Sequence, residues 1–205
     1  QPETVWVGTG EGNVRNSVSI GRGVYLSRDG GKSWRSMGLT ASERIHRIVV
    51  HPQDSDTVYV AAMGPLWSAG GERGVYRSRD GGRSWQLILA GSDAAGASDL
   101  IMDPHNPNLL YASMWQFRRT PHSFKSGGPG SGLYRSTDGG DSWTRLNHKD
   151  GLPAGDLGRI ALAVAPSDPN IVYALVEAAQ SALLRSTDRG LSFSAVNEAV
   201  NVHPR

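Results

Sequence analysis

Apolar residues along this chain come in short, strand-length runs broken by glycine, proline and polar clusters, and helical periodicity is absent. Thr4-Val5-Trp6-Val7-Gly8 reads as a strand, Thr9 to Arg22 as a polar, glycine-rich loop, and Gly23-Val24-Tyr25-Leu26-Ser27 as the next strand. A complete unit follows. Arg47-Ile48-Val49-Val50 is nearly continuous in apolar character, as a strand buried on both faces should be. A turn leads to Thr57-Val58-Tyr59-Val60-Ala61-Ala62, a loop from Met63 to Arg73, then strands Gly74-Val75-Tyr76-Arg77-Ser78 and Trp85-Gln86-Leu87-Ile88-Leu89. The order returns with Asp99-Leu100-Ile101-Met102, Leu109-Leu110-Tyr111-Ala112, a long loop from Met114 to Ser131, and Gly132-Leu133-Tyr134-Arg135-Ser136. It returns again with Ala161-Leu162-Ala163-Val164-Ala165, Ile171-Val172-Tyr173-Ala174-Leu175-Val176, a short loop from Glu177 to Ser181, Leu183-Leu184-Arg185-Ser186, and Phe193-Ser194-Ala195-Val196.

One phrase punctuates these units. Ser136-Thr137-Asp138-Gly139-Gly140-Asp141-Ser142-Trp143 matches Ser27-Arg28-Asp29-Gly30-Gly31-Lys32-Ser33-Trp34 and Ser78-Arg79-Asp80-Gly81-Gly82-Arg83-Ser84-Trp85. Ser186-Thr187-Asp188-Arg189-Gly190-Leu191-Ser192-Phe193 is a worn fourth copy, in which the clasp is expected to be weakest. The aspartates stand 51, 58 and 50 residues apart, a period that marks a repeat architecture. Within each copy, Asp-Gly-Gly makes a tight turn with φ > 0 at glycine. The carboxylate accepts backbone N–H groups across the loop, a hydroxyl closes the far side, and the tryptophan buries its ring under the hairpin. Asp29, Asp80, Asp138 and Asp188, with Trp34, Trp85, Trp143 and Phe193, are therefore structural. A carboxylate bound by backbone donors is held at low pKa and is a poor proton shuttle.

The phrase Ser-x-Asp-Gly-Gly-x-Ser-Trp is the Asp box, or BNR repeat. By it the chain resembles the Asp-box β-propellers, among them sialidases, xyloglucan-cleaving glycoside hydrolases and the sortilin/Vps10 ectodomain. It most resembles exported bacterial proteins of the sortilin-like or BNR glycosyl-hydrolase kind. The resemblance covers almost the whole chain. It implies a secreted or periplasmic location but decides little about activity, since one fold carries many functions.

Four short strands per repeat is the pattern of a propeller blade. The expected fold is all-β: one propeller segment over 1–205, with four-stranded blades at about 1–39, 45–89, 97–146 and 158–197, the first lacking its inner strand. Two readings of 198–205 stay open. Val200-Asn201-Val202-His203-Pro204 echoes Val49-Val50-His51-Pro52 and could return as the missing strand of a closed four-bladed ring. Alternatively the segment begins a further strand of a larger propeller, the preferred reading. An open array leaves a sheet edge and an apolar face uncovered, so self-association or association with a further propeller segment is expected.

Composition narrows the classes. The net charge of +2 over 205 residues includes no basic stripe, so nucleic acid is not an expected partner. The 26 glycines and 11 prolines fit a turn-rich β chain, and without cysteine there are no disulfides. No apolar run approaches the roughly 18 residues of a membrane span. The chain starts at Gln1, so a preceding segment is expected to have been removed or left out. No metal-ligand spacing and no phosphate loop call for a metal or cofactor. His46 and His51 read as satisfied polar histidines.

Function is expected on the face opposite the boxes, which gathers the long loops Thr9–Arg22, Met63–Arg73, Ala90–Ser98, Met114–Ser131 and Asn147–Gly158. Trp67, Glu72, Arg73, Trp115, Arg118 and Arg119 form the expected ligand-binding basin, since rings beside charged groups suit sugar faces or peptide side chains. The alternative is a glycoside hydrolase, which needs two carboxylates about 5–5.5 or 6.5–9.5 Å apart. Glu11, Glu72, Asp99 and Asp156 are the candidates, and no spacing selects a pair. The sialidase Arg-Ile-Pro signature is missing: Arg47-Ile48-Val49 and Arg159-Ile160-Ala161 do not match it. The sequence thus predicts either a sortilin-like binder of peptide or carbohydrate, or a hydrolase or fragment of one.

Overall fold

A computed structural model describes residues 2–199 and 202. Among these, the strands form four antiparallel sheets, with single-turn 3-10 segments at Thr40–Ser42 and His148–Asp150. Blade 1 holds β1 (Val5–Gly8), β2 (Val24–Ser27) and β3 (Arg35–Ser36). Blade 2 runs β4 (Ile45–Val50), β5 (Val58–Ala62), β6 (Gly74–Ser78) and β7 (Gln86–Ala90) in sequence order across the sheet. Blade 3 holds β8 (Ala95–Met102), β9 (Leu110–Arg119), β10 (Phe124–Ser126), β11 (Gly132–Ser136) and β12 (Thr144–Arg145). Blade 4 holds β13 (Ile160–Val164), β14 (Val172–Val176), β15 (Ala182–Ser186) and β16 (Ser194–Asn197). Val5 pairs with Ser27 as Val58 pairs with Ser78, so β1 corresponds to β5 and, among the described residues, blade 1 has no inner strand. The stretch Val200–Pro204, expected as a closing or further strand, lies outside the described residues except for Val202.

Two segments expected as loops are strand. β8 starts at Ala95, inside the expected Ala90–Ser98 loop, and β9 continues through Trp115 and Phe117 to Arg119. The physical reason is alternation: Trp115 and Phe117 fall on one face and are buried, while β10 supplies a ladder through Ser126↔Phe117 and Phe124↔Arg119.

The core lies between blades. Val24 and Leu26 pack on Val58, Val60 and Ala62; Tyr59, Ala61 and Val75 pack on Leu100, Leu110 and Ala112; Tyr111 and Leu133 pack on Ile160, Val172 and Ala174. A fourth cluster, Met63, Leu66, Trp115 and Phe117 with Val14 and Val18, caps the loop face. Among the described residues no apolar cluster joins blade 4 to blade 1.

Each Asp box is closed by the same bonds. In the third, the buried Ser136 hydroxyl donates to Asp138 Oδ1 (2.7 Å) and accepts from Asp138 N (3.3 Å) and Gly140 N (2.9 Å). Asp138 accepts from Ser142 N (2.9 Å) and Ser142 Oγ (2.5 Å). The first serine is thus a second hub beside the aspartate. The ring that follows belongs to the interface with the preceding blade. Trp85 Nε1 donates to Met37 O (2.6 Å) and its ring meets Trp6 edge-on at 6.4 Å. Trp143 packs on the cluster holding Tyr59, and Phe193 on the one holding Tyr111. Trp34, expected to be buried, is 45% exposed, because no preceding blade covers it among the described residues.

The inner strands are tied together by Asp99. Its carboxylate is buried, at 4% exposure, and a register shift in β8 between Ala97 and Asp99 turns it toward its neighbours. It accepts from Arg47 Nε on blade 2 (3.1 Å), from its own blade's Leu100 N (2.9 Å), and from Leu162 N on blade 4 (2.9 Å). One side chain therefore joins three blades.

Two expectations follow. The Asp29, Asp80 and Asp138 carboxyls sit at about 2 rather than 3.8, chiefly through the hydroxyls of Ser33, Ser84 and Ser142. Asp188 also sits at about 2, its bonds to Ser192 and Ser186 outweighing partial burial. Depressed folded values mean that the unfolded chain binds more protons between pH of about 2 and 4. The boxes' contribution should be fully present above pH of about 5 and disappear as pH falls through 4 toward 2. Thermal melts across pH 2–7 check this, and a midpoint flat down to about pH 2 would contradict it. Asp99→Ala leaves two backbone N–H groups and Arg47 without their acceptor and should cost about 2–4 kcal/mol in urea unfolding. An unchanged midpoint would show that Asp99 is not structural.

Candidate functional site

On the loop face, the β9–β10 ribbon, the first-blade loop and the inner edge of blade 4 enclose a cleft of 580 Å³. Its walls include Val14, Phe124 and Trp115; its polar groups are Asn13, Ser126, Arg119, Arg159 and Glu177. Arg159 precedes β13 and stacks over Trp115 at 5.4 Å. It donates to Asn13 Oδ1 (3.1 Å), and its other terminal nitrogen lies 3.4 Å from His46 Nε2. Guanidinium can only donate, so Nε2 is the acceptor and His46 is neutral in this contact. Burial, then the Arg159 charge, hold the His46 pKa below its ordinary value. Burial also lowers that of Arg159, with Asp99 and Glu177 opposing.

Glu177 Oε2 accepts from Ser126 Oγ (2.7 Å) and Arg159 N (2.9 Å), which aims the carboxylate between β10 and blade 4. Arg119 stacks over Phe124 at 4.7 Å, and its Nε is buried without a partner. Cations over aromatic faces retain donors for a ligand while keeping little hydration of their own. A second groove of 290 Å³ adjoins the first, lined by Glu177, Asp156, Lys125 and Ser126.

The structure separates the expected site residues. Trp115 and Arg119 line the cleft, although Trp115 is only 2% exposed and its Nε1 donates to Ser126 Oγ (3.0 Å). Arg118 is exposed on the opposite face of β9 from Arg119. Trp67 is exposed beside Leu66, whose carbonyl accepts from Arg119 N (3.2 Å). Arg73 is buried and spent on its own loop, donating to the carbonyls of Met63, Pro65, Ser68 and Gly70. Burial brings its pKa down to about 10. Glu72 accepts from Ala41 N (2.8 Å), and Glu11 pairs with Arg15 (2.6 Å) and accepts from Ser19 N (3.2 Å). Asp99 is the blade staple. Asp156 is exposed and has no bonding partner among the described residues.

Arg159, Glu177, Ser126 and Asn13 are the members that sequence reasoning misses. One signal existed: the Arg-Ile step that opens the inner strand of blade 4 also opens that of blade 2 at Arg44-Ile45. There the loop carbonyl of Arg44 accepts from Met63 N, as that of Arg159 accepts from Glu177 N. Glu177 therefore stands where blade 2 has an apolar residue. Among the described residues no group of three or more His, Cys, Asp or Glu is placed to hold a metal, and no helix is long and apolar enough to cross a membrane.

Comparison with known proteins gives the lineage. The chain is 30% identical over 132 residues to a probable oligoxyloglucan-reducing end-specific xyloglucanase of Neosartorya fischeri, covering 62% of this chain and 14% of that protein. It is 28% identical over 141 residues to the photosystem II assembly lipoprotein Ycf48 of Nostoc, covering 60% of this chain and 41% of the relative. The chain thus spans less than half the length of either relative. The crystal structure of the GH74 xyloglucanase from Xanthomonas campestris superposes with a TM-score of 0.67 at 19% identity, over 95% of this chain and 28% of that one, a likeness of fold. The family model described as sortilin, neurotensin receptor 3, matches residues 22–151, well over half of the sequence. The repeats, the sheets and this match agree, and the chain belongs to the Sortilin-Vps10 family.

Proposed function

We propose that the chain is a ligand-binding propeller segment whose loop-face cleft takes a peptide segment bearing a carboxylate. The observation that carries this is the pair of arginines stacked on aromatic rings. Arg119 over Phe124 and Arg159 over Trp115 line one cleft, with the Arg119 Nε buried and unpartnered. A carboxylate is the group that satisfies such donors through short, charge-assisted bonds. Val14 and Phe124 offer apolar contact alongside. Trp67 and Arg118 do not line this cleft and fall outside the proposal. Arg73 falls out of it, since its donors serve its own loop. A family description that names a receptor supports binding over chemistry. A secreted or periplasmic location is part of this reading, and one relative is named a lipoprotein.

A second reading has its own observation. Glu177 and Asp156 line one groove, and relatives carry xyloglucanase names. Two carboxylates facing one glycosidic bond are what hydrolysis requires.

The test uses calorimetry with short peptides ending in a free or amidated carboxyl, and xyloglucan oligosaccharides with a sugar-release assay alongside. Arg119→Ala and Arg159→Ala should each weaken binding of the free-carboxyl peptide by about tenfold or more, with circular dichroism unchanged. Equal binding of both peptide forms, or by wild type and both variants, would sink the peptide reading. Sugar release lost in Glu177→Gln and Asp156→Asn would establish the hydrolase instead.

A further inference from the structure

The junctions between successive blades bring the same positions together with different side chains. Where blade 2 meets blade 3, the Tyr59 hydroxyl and Arg77 Nη1 both donate to Gly139 O in the blade 3 box, at 2.9 and 2.8 Å. Asp141 of that box is the counter-ion: its Oδ1 lies 2.7 Å from Arg77 Nη2 and 3.3 Å from Arg79 Nη2. Where blade 3 meets blade 4, the Tyr111 hydroxyl and Arg135 Nε hold Arg189 O in the same way, at 2.7 and 2.9 Å. There Leu191 takes the place of Asp141 and Thr137 that of Arg79, so the junction carries no second cation and no carboxylate.

Where blade 1 meets blade 2 the charge is reversed. Arg83 stands in the place of Asp141, and Arg28 in that of Arg79. Leu26 replaces Arg77, since Leu26 faces Arg35 across the ladder as Arg77 faces Gln86. Trp6 replaces Tyr59 by the same register. The arginine that fills the other two junctions is therefore missing. A cavity of 260 Å³ opens between the two blades, with Arg28, Arg35 and Arg83 around it and the buried Leu26 and Met37 as its apolar wall. Arg28 reaches over blade 2: a methyl group added at Gly81 would meet its Nη2 at 3.4 Å. The same methyl would meet Asp56 Oδ1 at 2.9 Å, so one carboxylate stands near. Even so, none of the three guanidinium groups has an ion pair or a hydrogen bond among the described residues. Gly81 also lines the cavity and shares the φ of 68° found at Gly139, but no donor among the described residues reaches its carbonyl.

We propose that the cavity between blades 1 and 2 binds a phosphate group, which supplies there the negative charge that Asp141 supplies at the next junction. Three guanidinium forks offer more charge and more donors than one carboxylate can pair, and they match the several oxygens of a doubly charged tetrahedral anion. The wall of Leu26 and Met37 keeps the field of the three cations focused on the cavity. Hydrogen phosphate also carries one P–OH, the donor that the Gly81 carbonyl lacks. The site lies among the Asp boxes, on the face opposite the long loops, and is separate from the cleft of Arg119 and Arg159.

Isothermal titration calorimetry of the full chain with inorganic phosphate, at low ionic strength, tests this. Wild type should bind phosphate, and bind it more tightly than sulfate, which has the same charge and shape but no hydroxyl. Arg28→Ala and Arg35→Ala should each raise the dissociation constant by about tenfold or more. Arg83→Asp makes a sharper demand: it restores the carboxylate of the next junction and should abolish phosphate binding. All three side chains are exposed, so circular dichroism should match wild type in every variant. Arg119→Ala, which removes a donor of the loop-face cleft, should leave phosphate binding in place. Binding lost in Arg119→Ala but kept in Arg83→Asp would put the anion in that cleft and overturn the proposal. So would the absence of phosphate binding to wild type, or equal binding by wild type and Arg83→Asp. Sulfate bound as tightly as phosphate would overturn the choice of phosphate.

Discussion

The later Asp-box turns in this molecule are not finished by their own blades. The serine and aspartate close each loop locally, but in the second, third and fourth boxes the closing ring packs on the blade before, and in the third and fourth that blade also holds the carbonyl after the aspartate. Gly139 O and Arg189 O are each held by a tyrosine and an arginine from that neighbour. Trp85, Trp143 and Phe193 each pack on the neighbour's apolar face. A sheet of this size buries too little surface to stand alone, so its stability is a nearest-neighbour quantity, as in other repeat proteins. Three of the apolar clusters record the same rule, since each spans two adjacent sheets.

This arrangement divides the molecule into a face that is fully committed and a face that is free to vary. The box carboxylates are bound by hydroxyl and backbone donors and sit at about 2, so they remain ionised and hold loops. At the axis Asp99 is equally committed, with three donors from three blades. On the opposite face Arg119 keeps a buried, unpartnered donor and Arg159 stacks on an indole. Trp115, Phe117 and Arg119 alternate onto one face of the β9–β10 ribbon, where Phe124 lies across the ladder from Arg119 and edge-on to Trp115. A rigid array thereby supports a cleft whose lining its packing does not dictate.

The fold was legible because its signals are local. The Asp-Gly-Gly turn, the alternating strands and the spacing of the four boxes lie within a few residues of each other, and they yield four sheets with an incomplete first blade. The cleft was less legible because its contacts are not local. Ser126 meets Glu177 across 51 residues, and Arg159 meets Asn13 across 146. No periodicity encodes such pairs. Trp115 was visible as an aromatic near two arginines, yet its alternation with Phe117 was the stronger clue, since it marks strand and burial. The box serines, too, read as minor partners, although Ser27, Ser78, Ser136 and Ser186 each take two backbone donors.

The fourth box shows what the repeat requires. Its sequence is worn, with Arg189 at a glycine position and Phe193 at the tryptophan, yet its bonds are complete. Ser186 donates to Asp188 and accepts from Asp188 N and Gly190 N, and Asp188 accepts from Ser192 N and Oγ. Arg189 holds the left-handed φ of 59° that glycine holds elsewhere, and its Nε donates to Asn170 Oδ1 at 3.0 Å. That bond offsets part of the strain a side chain meets there. The preceding blade reads the Arg189 carbonyl, which any residue supplies, packs Tyr111 against Gly190, where an added methyl group would meet it at 2.6 Å, and takes a ring in the Phe193 pocket. Serine, aspartate, the positive φ and the second glycine are therefore the constraints that a box must meet, while the first glycine and the indole are one way of meeting them.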